Sequence, residues 1–276
     1  MRSLVRKIYY SFPPKWRLIV RRVFFFPIDL LSSREDLVPP KGMIYTGSGD
    51  FIHQGNHFLK HFKDAGLQAN HHVLDIGSGI GRMARALAFF LNEKGRYEGF
   101  DVVEKGVSWC KENIQKRFPA FNFTYVELQN SLYSDSGEDA SKFKFPYADN
   151  SFNFTFLTSV FTHMPMEEVL HYLGEINRTL DKGGICFSTF FILNKESKDM
   201  MEKGNFKFPH SYGNYSLMDK NVDAANIAFE QDFLFQAIEE KGFNIKEIIY
   251  GNWCGDRPSK YGEFQDILVL EKKKEQ

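Results

Sequence analysis

Two apolar periods alternate along the chain from about residue 55. Val73–Ile76, Tyr97–Phe100, Phe123–Val126, Phe154–Leu157 and Ile185–Phe191 are short apolar runs that suit buried strands. Between them, apolar positions recur at helical spacing. Met83, Leu87 and Phe90 share one face of 82–91, Val107, Cys110, Ile114 and Phe118 another, and Val169, Tyr172, Leu173, Ile176 and Leu180 a third. A helix is also expected from His57 to Ala65, ended by Gly66, and one from about Glu230 to Lys241. The last two strands, Ile245–Tyr250 and Gln265–Leu270, have no helix between them. Alternating strands and helices predict an α/β class with a mostly parallel, doubly wound sheet, and the short final connection allows an antiparallel last strand. Residues 130–142 are polar and turn-rich, hence a surface loop, and 193–228 read as an irregular aromatic excursion.

The first 54 residues differ in pattern. Pro13-Pro14, Pro27 and Pro39-Pro40 punctuate them, so short helices and loops are expected ahead of a main domain at 55–276. Residues 1–28 hold Arg2, Arg6, Lys7, Lys15, Arg17, Arg21 and Arg22 and no acid, interleaved with aromatic and aliphatic residues. The apolar runs are too short for a membrane span and too interrupted for a secretory signal. Two readings stay open: a peripheral segment lying on an anionic membrane, or a basic helix packed on the body of the protein.

Composition changes the picture only a little. Formal net charge is zero, which points away from a nucleic-acid partner and towards a small-molecule one. The three cysteines, Cys110, Cys186 and Cys254, are far apart and fit a reducing, cytoplasmic setting.

The candidate chemistry begins where the first strand meets its helix. In "VLDIGSGIGRMARALA" three glycines, Gly77, Gly79 and Gly81, fall within five positions. Such a turn lets the backbone bend sharply and approach a ligand at a helix start, although a tight turn without a ligand has the same look. Asp101 ends the second strand about 20 residues after Gly81, where a carboxylate can accept from both hydroxyls of a ribose. A dinucleotide fingerprint would carry its third glycine where Arg82 stands. Asp75, two residues before Gly77, would repel a pyrophosphate and welcome an ammonium. A nicotinamide-dependent oxidoreductase and a sulfonium-nucleoside enzyme are therefore the two cofactor classes to separate.

"VLDIGSGIGRMA" with "YEGFDVVEKGVSWC" resembles the class I S-adenosylmethionine-dependent methyltransferases. "FPYADNSFNFTFLTSVFTHMP", "YLGEINRTLDKGGICFSTF" and "FEQDFLFQAIEEKGFNIKEI" are similar to later stretches of that family, in order, so the resemblance covers roughly residues 55 to 271. It implies a Rossmann-like fold of seven strands with an antiparallel last strand, and S-adenosyl-L-methionine as cofactor. It implies that Asp75, Gly77, Ser78, Gly79 and Gly81 surround the methionine part and that Asp101 holds the ribose, with Val102 beside the adenine. Asn130, with Asp139 as a competitor, would reach the adenine amino edge, and Thr158 and Ser159 would lie near the sulfonium. The chain departs from the family at Asn153, commonly an aspartate, and at Asp181-Lys182-Gly183-Gly184, commonly Lys-Pro-Gly-Gly.

No acceptor motif is recognisable, and Leu157-Thr158-Ser159-Val160 lacks the Asn-Pro-aromatic-aromatic pattern of planar-nitrogen methylation. The expected reaction is O-methylation of a small molecule, with His163 as candidate base because a histidine titrates near neutral pH just beyond the fourth strand. The rival without catalysis is a methyltransferase-like binding protein at a membrane. Tyr45 and Phe51 of the 45–51 loop are expected to line the cofactor pocket, and the aromatic excursion to cover the acceptor. His53, His57 and His61 lie at i, i+4 and i+8, a spacing that can ligate a metal but more commonly packs or faces solvent, with Gly55 weakening the helix; no metal is expected.

Overall fold

The computed structural model describes residues 14–47, 49–129, 137–220, 226–255, 257–259 and 262–274. Helix α1 (Pro14–Leu31) leads into a short 3-10 turn at Lys41–Met43 and then α2 (Phe51–Asp64). Asp50 starts α2 by accepting the His53 amide at 2.8 Å. Gly55 does not interrupt this helix. It marks the crossing with the next one, where a Cβ would stand only 2.7 Å from the Arg82 carbonyl oxygen.

The strands follow the sequence pattern closely: β1 (His72–Ile76), α3 (Arg82–Ala88), β2 (Arg96–Asp101), α4 (Glu104–Cys110), β3 (Phe121–Tyr125), β4 (Phe152–Leu157), α5 (Met166–Thr179) and β5 (Leu180–Phe190). Two local expectations change. The run from Val107 to Phe118 is not one α-helix, because α4 widens into a π-helical turn over Lys111–Gln115. The fifth strand starts before the apolar run Ile185–Phe191: β5 takes in Gly183-Gly184, where the pairing with β4 shifts register between Phe152 and Phe154.

The excursion is ordered rather than irregular. Short strands β6 (Ile192–Leu193), β7 (His210–Ser211), β8 (Tyr215–Leu217) and β9 (Ile227–Glu230) form a second sheet in the order β6-β9-β8-β7, with α6 (Lys195–Lys203) beside it. No strand there is long enough to have carried a periodic signal. The chain then returns through α7 (Gln231–Glu240), β10 (Phe243–Ile249) and β11 (Asp266–Lys272).

The main sheet has seven strands in the order β10-β11-β5-β4-β1-β2-β3. Neighbours from β5 to β3 are parallel, while β11 is antiparallel to both β5 and β10. One buried cluster on α5 and α7 covers one face, including Leu173, Ile176 and Ile238, and another on α2 to α4 covers the other. On the latter, Phe62 of α2 is 1% exposed, its ring 4.4 Å from that of Phe156 and 5.0 Å from that of Phe187. The second sheet has its own core of Phe191, Phe208, Trp253 and Cys254. Asp266 joins it to the main sheet by accepting from the Ile192 amide (2.7 Å), the Gly251 amide (2.8 Å) and Trp253 Nε1 (2.8 Å). Because β2 and β3 lie to one side of β1 and β4 to the other, the strand order reverses between β1 and β4. A crevice at the carboxyl ends of those two strands is where this architecture takes ligands.

Candidate active site

Gly77 leaves β1 at φ +79°, and a Cβ there would fall 2.5 Å from Val160 Cγ2 just after β4. Only glycine satisfies both demands, so the residue fixes where the crevice begins. Four of the turn's amides, those of Gly77, Ser78, Gly79 and Gly81, are bonded internally. Gly77 and Ser78 donate to the Phe100 carbonyl at 2.9 and 3.0 Å, Gly81 donates to Ser78 O at 3.0 Å, and Gly79 donates to Asp101 Oδ2 at 2.7 Å. A pyrophosphate cradle needs such N–H groups free. Asp101 Oδ1 accepts the Val103 amide at 2.8 Å, so one carboxylate ties the first βα turn to the second. Each of its oxygens keeps a further lone pair for a ribose hydroxyl.

Asp75 lies in register with Gly99 of β2 and accepts the Tyr97 hydroxyl at 2.6 Å. Burial raises its carboxyl to about 8; the Tyr97 bond opposes the rise and nearby Asp101 adds to it. Burial likewise raises Asp101 to about 6 against the pull of the Gly79 and Val103 amides. Near neutral pH Asp101 carries most of its charge, which disfavours a diphosphate, while Asp75 is largely protonated and would ionise beside a bound cation. That donor set fits an amino-acid ammonium and a sugar diol.

The remaining residues divide. Ser78 is buried with its Cβ against Gly99, and its Oγ has no hydrogen-bond partner, so it meets the crevice through its backbone. Gly81 begins α3. Val102 and Thr158 are half-buried at their strand ends. Ser159 has φ +58°, an uncommon conformation for a side-chain-bearing residue. Two contacts hold it there: its amide donates to Thr189 Oγ1 at 2.7 Å and its Oγ to Gln265 Oε1 at 2.9 Å. His163 is half-buried at the end of a 3-10 turn (Phe161–His163), three residues beyond Val160. Asn130 lies outside the described residues. Asp139 is exposed and occupied locally, accepting from the Ser141 amide and hydroxyl at 2.9 and 2.7 Å. Tyr45 places its hydroxyl over Gly106, while Thr46 lies beside Gly79 and its carbonyl accepts from Arg82 at 2.8 Å, so this segment covers the glycine turn. Phe51 is buried in the core under the Arg82 guanidinium rather than exposed to a pocket. A cleft of about 450 Å³ lies elsewhere, between residues 34–43 and Trp109, Asn113 and Arg117 of the α4 region.

The histidine spacing yields a cluster with an unexpected member. His57 and His61 both meet Glu263 Oε1, the latter at 2.7 Å, while His53 lies outside the trio and its ring stacks on His57. Among the described residues this is the one group of His, Cys, Asp or Glu side chains able to hold a metal ion, its ligand atoms lying within 4.8 Å of one another. The trio is also complete as a hydrogen-bonded set: despite its burial, the two imidazoles hold the Glu263 carboxyl below its usual range. Sequence spacing marks the two histidines. Nothing local marks Glu263, nor Tyr97, Thr189 and Gln265, which become partners only when the strands align.

A reversed strand order, a glycine turn after β1 and an acid closing β2 are features that a nucleoside site in this architecture needs. Residues 74–188 match the family model described as a methyltransferase domain. Residues 74–188 thus form a methyltransferase domain, consistent with the class I S-adenosylmethionine-dependent family and with S-adenosylmethionine as cofactor. Solved structures share the fold. A protein from Pyrococcus horikoshii is 12% identical, with 84% of this chain and 95% of that one covered at a TM-score of 0.57. A SAM-dependent methyltransferase from Methanosarcina mazei is 19% identical, covering 78% and 98% at 0.53. A chain in the complex of the Haloferax volcanii Trm112 methyltransferase activator with a methyltransferase is 15% identical, covering 80% and 90% at 0.53.

Two outcomes follow from this geometry. Asp101→Ala weakens S-adenosylhomocysteine binding by about 2–4 kcal/mol, because a charge-assisted contact is lost; calorimetric titration giving wild-type affinity in a folded variant would contradict the ribose role. In the unfolded chain Asp75 titrates near 4, well below its folded value of about 8. The folded state therefore binds more protons across that window, and this residue's contribution lowers stability as pH rises through it. Asp75→Asn removes the penalty, so the melting temperature of the variant gains on the wild type between pH 5 and pH 8; parallel profiles would contradict the assignment.

Proposed function

We propose that the chain transfers a methyl group to a hydroxyl of a small molecule in the cytoplasm. The single observation that carries the cofactor half of this reading is Asp101, buried at the end of β2 and bonded to the Gly79 and Val103 amides. When bound, S-adenosylmethionine supplies a methyl on a cationic sulfonium, which an acceptor oxygen takes by in-line displacement. Asp75 and Asp101 favour the cationic and diol parts of the ligand, and the Tyr45–Thr46 segment keeps water from the turn.

Four features support the acceptor half. Zero net charge suits a small molecule better than a polyanion. The chain after β4 lacks the planar-nitrogen motif, leaving oxygen as the favoured acceptor atom. His163, in the turn beyond Val160, is in the right region to take the hydroxyl proton as the new bond forms. The second sheet, continuous with the carboxyl end of β5, is the natural cover for the acceptor. Three buried, unpaired cysteines support a reducing compartment.

Transfer of labelled methyl groups into a metabolite extract, followed by identification of the product, tests this reading. The expected product is a methyl ether or ester, formed by a protein that binds S-adenosylhomocysteine and not NAD. His163→Ala lowers turnover roughly 10²-fold or more while leaving cofactor affinity close to wild type. Wild-type turnover on the true acceptor would remove His163 as the base. An N-methylated product would overturn the oxygen assignment, and cofactor binding without any product would favour the non-catalytic rival.

A further inference from the structure

Helix α1 carries its apolar side chains on the outside. Its contact with the body is a narrow stripe of half-buried residues at i, i+4 and i+8: Arg21, Phe25 and Asp29. The Arg21 guanidinium lies 5.0 Å from the Phe25 ring centroid. Asp29 is the anchor, accepting the Lys41 amide at 2.7 Å and the Gly42 amide at 2.9 Å. Opposite this stripe, about half of the helix circumference holds Val20, Val23, Phe24, Phe26, Leu30 and Leu31, from 53% exposed at Val20 to 85% at Leu31. Isolated exposed apolar residues are ordinary; a continuous face of this kind on one helix is not.

Charge decides what covers it. By helical register Arg22 falls at the border of the apolar face, and residues 1–28 hold seven basic residues and no acid. Two copies meeting through this face would bring like charges together. A surface that accepts the apolar side chains and neutralises the flanking cations is the interface of an anionic bilayer. No helix among the described residues is long and apolar enough to cross a membrane. We propose that α1 is a binding site for anionic lipid, lying in the plane of the membrane with Val23, Phe24, Leu30 and Leu31 buried among acyl chains. The sequence left a packed basic helix as the alternative, and the outward apolar face is what separates the two. The proposal does not depend on the methyl acceptor.

Co-sedimentation of the purified full chain with vesicles tests it. The probes are phosphatidylcholine vesicles with and without phosphatidylglycerol, at low and high salt. Binding is expected to the phosphatidylglycerol vesicles, weakened by salt, and to be at least about tenfold weaker on phosphatidylcholine alone. The double variant Phe24→Ser with Leu31→Ser is expected to lose more than about tenfold in partitioning. Both sites are solvent-exposed, so its melting temperature and S-adenosylhomocysteine affinity are expected to match wild type, which keeps failure here separate from failure of the enzyme assignment. Absence of vesicle binding, or equal binding by the double variant, overturns the proposal. A concentration-dependent dimer lost in the double variant, without vesicle binding, assigns the face to a second copy instead.

Discussion

Asp101 joins two turns that the rest of the site depends on. One oxygen takes the Gly79 amide from the loop after β1, and the other takes the Val103 amide at the entry to α4. Carboxylate bonds to backbone amides are among the stronger neutral–charged contacts in a protein, and burial strengthens them. They hold the glycine turn at a fixed distance from β2. They also leave each oxygen of the same carboxylate a further lone pair. The amide bonds offset part of the burial that disfavours the charge of this acid.

The electrostatics of the crevice follow from that choice. Asp75, two residues before Gly77, is more deeply penalised and shares a hydrogen bond with Tyr97 on the neighbouring strand. An ionised Asp101 next to a turn with four bonded amides disfavours a phosphate. The outer chain shows a complementary pattern. The first 28 residues are basic in sequence, α1 turns an apolar face outward, and Asp29 fastens that helix to the Lys41–Gly42 turn. A few residues on, Tyr45 and Thr46 cover Gly106 and Gly79. The lipid-facing helix and the cover of the cofactor turn are thus separated by a short stretch of chain.

Much of this was legible in the sequence because the main strands are buried on both faces and read as apolar runs. The glycine turn, Asp75 and Asp101 are local in sequence, so their spacing carries their role. The second sheet was not legible: strands such as His210–Ser211 are too short for a period and are held by an aromatic core. The π-helical turn after α4 escaped because its apolar spacing differs little from that of an α-helix. Glu263, Thr189 and Gln265 were invisible because their partners lie 30 to 206 residues away, across strand alignments that only the fold supplies.

The most direct measurement is a crystal structure of the chain grown with S-adenosylhomocysteine. The expected density places the ribose diol on both oxygens of Asp101, with the Gly79 and Val103 amides still bonded to that carboxylate and the amino-acid end beside the turn that Asp75 precedes. A nucleoside bound elsewhere, or Asp101 turned away from the sugar with its two amides released, would contradict the central role given to this residue.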